Sequence, residues 1–110
     1  VYLARLFGQW GIEEAIRPRL VQPPSGTPIG ALVASGQVAL GFQQLSELIH
    51  MSGIQVVGTL PPEIQVTTTF SGGVCAASTQ HDAARAFLAF ITSADTAEAK
   101  RRHGMEPPTS

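Results

Sequence analysis

A chain of 110 residues, 44% hydrophobic and 14% charged, has the make-up of one globular domain or a piece of a larger one, which excludes a disordered tail. Its net charge of −1, from 7 basic against 8 acidic side chains, excludes an electrostatic wrap around nucleic acid or an anionic membrane surface. The single cysteine, Cys75, excludes an internal disulfide, and no apolar run approaches the ~20 residues of a membrane span.

The first element is a helix. "VYLARLFGQWGI" sets Leu3, Leu6, Phe7 and Trp10 at helical spacing, Gly8 weakens the run, and Gly11 is placed to end it. Residues 19–22 fit a short strand stopped by Pro23 and Pro24. A second helix should follow, with Thr27 as its N-cap, Pro28 at its first position, Gly36 as its stop, and Ile29, Leu32 and Val33 on its buried face.

Residues 38–42 form the expected second strand, and residues 43–50 a short helix or loop and helix. Residues 54–58, "IQVVG", make a third strand, and "TLPPEIQ" is a proline-stiffened connector. "VTTTFSGGVCAAS" is a long strand with a break at its glycines. "TQHDAARAFLAFITS" is the clearest helix: Thr79 and Asp82 resemble a capping box, and Ala84, Phe87, Leu88 and Ile91 form its stripe. A last short helix ends at Gly104. The alternation predicts βαβ units and a mostly parallel sheet, an α/β fold.

Between Leu20 and Gln80 the only formal charges are Glu47 and Glu63. A middle so poor in charge should have little free surface, being buried in sheets, covered by a partner or lining a cleft. The polar exception is the corner after the second strand, where Gln43, Gln44, Ser46 and Glu47 cluster. In open α/β sheets ligands sit beyond the carboxyl ends of strands, and amides desolvate more cheaply than charges. The cluster therefore either binds a small neutral-contact ligand or caps the following helix. Glu47 is expected to be a solvated or capping carboxylate.

"PPSGTP" is either a backbone anion site at a helix start or a simple cap by Thr27; it lacks the lysine of a phosphate-binding loop. Cys75, in an apolar strand without an identifiable histidine partner, is expected to be a buried structural thiol. His50, His81 and His103 lie far apart in sequence, so no metal site is expected, and no cofactor. "KRR" at the end of the last helix complements the helix dipole. No catalytic constellation emerges, and the expectation is a protein that is not an enzyme.

Taken in order, "VYLARLFGQWGI", "LVASGQVALGFQQLSEL", "GIQVVGTLPPEIQ", "ARAFLAFITS" and "GMEP" resemble the later half of a bacterial periplasmic solute-binding protein, most closely the molybdate-binding-like group of ABC-transporter binding proteins. The resemblance implies a two-lobed type II periplasmic-binding-protein fold. Residues 1–58 would be second-lobe α/β structure, 59–65 the hinge connector, and 66–110 a returning strand with C-terminal helices of an incomplete first lobe. It also implies ligand contacts from Gly26 and Thr27 at one helix start, and from Gln43, Gln44 and Ser46 beyond the strand.

In the molybdate binders a tyrosine stands at about the place of Gln44, so the implied ligand is another oxyanion or a small organic molecule. The implied setting is the periplasm, with the membrane subunits of an ABC transporter as partners. The opening at Val1, inside a helical pattern, points to a fragment or processed product. Apolar stripes left without cover would make it a homo-oligomer. The alternative implied by the same resemblance is the ligand-sensing effector domain of a transcription regulator.

Overall fold

In a computed structural model, which describes residues 1–109, the chain runs through six α-helices among the described residues: α1 (Tyr2–Gln9), α2 (Glu13–Ile16), α3 (Ile29–Ala34), α4 (Leu45–Leu48), α5 (His81–Thr92) and α6 (Ala97–Arg102). A single 3₁₀ turn at Arg17–Arg19 extends α2, and another at Ala94–Thr96 joins α5 to α6. Each helix follows from local sequence. In α1 the stripe buries Leu6, 5% exposed, and Gly11 closes the turn at φ 70°. Gly36 ends α3 at φ 78°, with the amides of Gly36 and Gln37 donating back to the carbonyls of Val33 and Leu32. Gly104 ends α6 in the same way at φ 74°, and the Met105 amide reaches the Lys100 carbonyl at 2.9 Å.

The expected sheet is corrected. Among the described residues there is no strand and no ladder, so the α/β assignment with a parallel sheet does not hold. Of the first expected strand, residues 19–22, Arg19 belongs to the 3₁₀ turn and the rest to no regular element. Residues 38–42, 54–58 and 66–78 carry the β-branched composition of strands, yet also lie outside any regular element. The reason is physical. A strand's hydrogen bonds are made with another strand, so composition raises the tendency and a partner decides the outcome. The 38–42 segment packs instead on α3: a Cβ added to Gly41 would collide with Ile29 and meet Val33 Cγ2 at 3.2 Å. Gly72 lies against Leu88 of α5 in the same manner, at 2.9 Å.

Two capping expectations also change. Thr27 does not cap α3; Pro28 is the N-cap residue at φ −67°, ψ 117°, without a side-chain cap bond. At α5 the N-cap is Gln80, again without one, and Ser78 Oγ accepts from the Gln80 amide at 3.1 Å in place of the expected Thr79–Asp82 box. The α5 stripe is half-buried at Ala84, Leu88 and Ile91, whereas Phe87 is 62% exposed.

The molecule is long and thinly covered. Its Cα radius of gyration is 18.1 Å, where a compact chain of this length has about 13 Å. Its accessible surface is 8806 Å², against about 5,800 Å² for a compact monomer of this mass. Leu6 is the one buried hydrophobic side chain among the described residues, so the charge-poor middle is not buried in sheets within this chain. Leu40, Phe42, Val57, Val66 and Phe70 are all exposed there. One long-range polar contact ties the start of the chain to the connector: the Tyr2 hydroxyl donates to the Ile64 carbonyl.

Candidate functional site

The corner that follows residue 42 is built from two loops held together by one amide. α3 begins at Ile29, whose backbone N–H has no intrahelical partner, as in any first turn. Gln43 supplies the missing acceptor from fourteen residues away: its Oε1 takes the Ile29 N–H at 3.2 Å. The bond fixes the 25–28 turn against the 43–44 segment and leaves Gln43 Nε2 as a donor. On the other side, the Thr27 amide donates to the Pro24 carbonyl at 3.1 Å, and Gly26 turns the chain at φ 85°.

Between the loops lies a cleft of about 300 Å³, lined by Gly26, Thr27, Pro28, Gln43, Gln44 and Glu47. Four of the five residues expected to meet a ligand therefore share one cavity: Gly26, Thr27, Gln43 and Gln44. The fifth, Ser46, stands on α4 outside the lining, with its backbone nitrogen toward Gly104. Gln44 is the N-cap residue of α4, yet its side chain makes no cap bond, so its amide is left for the cleft. Pro28 joins the lining without having been expected there, and Glu47, exposed in the first turn of α4 as a solvated carboxylate would be, also lines the cleft.

The wall is mostly neutral. It offers amide and hydroxyl donors from Gln43, Gln44 and Thr27, and one carboxylate, Glu47. Such a set orients a small polar molecule by hydrogen bonds and can move one proton. A second hollow, of about 310 Å³, is lined by the six consecutive residues Ser78, Thr79, Gln80, His81, Asp82 and Ala83. It belongs to a single stretch, and no other element closes over it. Cys75 is exposed, correcting the expected buried thiol: the segment that should have enclosed it is not in a sheet. Among the described residues no group of three or more His, Cys, Asp or Glu side chains could hold a metal ion.

A family of known proteins has this sequence pattern. The family model for bacterial extracellular solute-binding proteins matches residues 1–106, and the chain belongs to that family. Among characterised relatives it is similar to the aconitate isomerase of a Pseudomonas species, 40% identical over 108 residues. That match takes in 97% of this chain and 41% of the relative, so the chain spans less than half of the relative's length. No solved structure matches. The expectation that the protein is not an enzyme is corrected by this relative, whose name is that of an enzyme.

Proposed function

We propose that this chain supplies one wall of a cleft in which an extracellular solute-binding protein holds a small polycarboxylate. The observation that supports the reading is the meeting of Gly26, Thr27, Gln43 and Gln44 on one cavity, fastened by the Gln43–Ile29 bond. Carboxylate oxygens accept hydrogen bonds, and the free Gln43 and Gln44 amide groups and the Thr27 hydroxyl can donate them. The choice of a carboxylate over molybdate rests on the likeness to aconitate isomerase. The opposite wall comes from elsewhere in a two-lobed protein. In that arrangement residues 1–58 belong to one lobe, 59–65 to the hinge, and 66–110 to the chain's return. As cargo, the ligand passes in the periplasm to the membrane subunits of an ABC transporter. The uncovered apolar surface also makes self-association part of this reading.

A second reading gives the same cleft a reaction. The 40% identity favours it, and so does Glu47 on the wall: an isomerisation by proton transfer needs one group that takes a proton and returns it. One titration separates the readings. Aconitate, molybdate and sulfate are added to the ¹⁵N-labelled chain, and amide shifts are followed by NMR. With one wall, aconitate binding should be weak but localised, moving Gly26, Thr27 and the side-chain amides of Gln43 and Gln44. Gln44→Ala should cut the affinity roughly 5–10-fold, the worth of one hydrogen bond. Shifts scattered over the surface, or the same response to sulfate, would remove the proposal. Conversion of aconitate, abolished in Glu47→Gln with binding retained, selects the enzyme.

A further inference from the structure

His50 and His103 are 53 positions apart in the chain and meet in space, with ring centroids 4.9 Å apart and planes at 66°. His50 lies in the turn that leaves α4, and His103 is the C-cap residue of α6. Their meeting is imposed by the backbone. Gly104, at φ 74°, sits so close to α4 that an added Cβ would lie 3.0 Å from both Leu45 Cγ and the Ser46 nitrogen. The His103 amide donates to the Ala99 and Lys100 carbonyls at 3.2 and 3.0 Å, which holds the end of α6 in place. Both residues are exposed, so a solvated ion can reach the rings.

The spacing has a chemical meaning. A metal bound to imidazole lies about 2.0–2.1 Å from the nitrogen, hence about 3.2 Å from the ring centroid along the same line. Two imidazoles on one ion, at ligand angles of roughly 90–109°, then have centroids about 4.5–5.2 Å apart. The observed 4.9 Å lies inside that window. We propose that His50 and His103 form a two-histidine chelate for a borderline divalent cation of the zinc, nickel and copper class. The ion's other positions are filled by water, since no third side chain of metal-binding type joins the pair among the described residues. Imidazole suits these ions, whereas calcium and magnesium demand oxygen ligands. Bound there, the cation staples α6 to α4, the helix that carries Glu47 of the cleft.

The test uses Ni²⁺ as probe in isothermal titration of the full chain, carrying Cys75→Ser so that the exposed thiol does not compete. One ion per chain is expected. His50→Ala and His103→Ala should each weaken binding at least roughly tenfold, the cost of losing even an outer-shell partner of a metal ligand. The double variant should lose little more than either single one, because one imidazole alone cannot chelate. His81→Ala, at the third histidine, should change nothing. Circular dichroism checks that the variants keep the parent helix content. An affinity left unchanged by either single substitution, or lost in His81→Ala, overturns the proposal.

Discussion

Gly104 illustrates how one residue can hold two elements together. Its φ of 74° is a conformation that side chains with a Cβ disfavour, and its Cα lies against the backbone of Leu45 and Ser46, which cannot swing away. Gly104→Ala should therefore destabilise the α4–α6 junction by about 1–2 kcal/mol from the backbone conformation alone. The collision adds to that. Thermal unfolding checks the stability, and NMR shifts confined to residues around Leu45 and His103 check the place. An unchanged transition with unchanged shifts would mean that α6 does not dock on α4. Gln43 has a comparable role just before the same end of α4, where its side-chain oxygen accepts the first N–H of α3.

At the scale of elements, the helices and the extended segments differ in where their hydrogen bonds go. α5 satisfies its own backbone over twelve residues, and its end is held by Lys100, whose Nζ donates to the Ile91 carbonyl and to Thr96 Oγ1, the latter at 3.1 Å. Residues 54–58 and 66–74 have β-branched side chains and no ladder. Their amides rely on solvent, so hydrogen exchange should be close to the unprotected rate there and slowed in the middle of α5. Protection of 54–58 equal to that of α5 would mean that the segment has found a strand partner in solution. The surface ion pairs of Arg17 with Glu13 and Glu14, at 3.2 and 2.7 Å, add little to this balance because all three groups are well exposed.

The whole molecule exposes about 3,000 Å² more surface than a compact chain of its mass would. Val57 at 87%, Phe70 at 65%, Phe87 at 62% and Phe90 at 55% contribute to that excess. The excess is in the range buried by permanent interfaces, about 2,000–5,000 Å². Sedimentation velocity should accordingly give a dimer or larger species at micromolar concentration. Placing charges on the exposed side of α5, with Phe87→Glu and Phe90→Glu, should shift it toward monomer. A parent chain that sediments as a monomer throughout would remove self-association from the functional reading.

Much of this protein is legible without a coordinate. Local hydrogen bonds and glycine stops set α1, α3, α5 and α6 from their own residues, and the ordered segments carry the solute-binding family. The polar corner at Gln43 and Gln44 stands out because its neighbours have so few polar groups. Sheet formation is not legible in the same way, because the bonds of a strand belong to a partner that composition does not name. Only the tertiary structure decided that Gln43 caps a helix fourteen residues away, that Glu47 faces the cleft, that Cys75 is exposed and that His50 meets His103. Each of these depends on how separate segments pack, and no local periodicity encodes that.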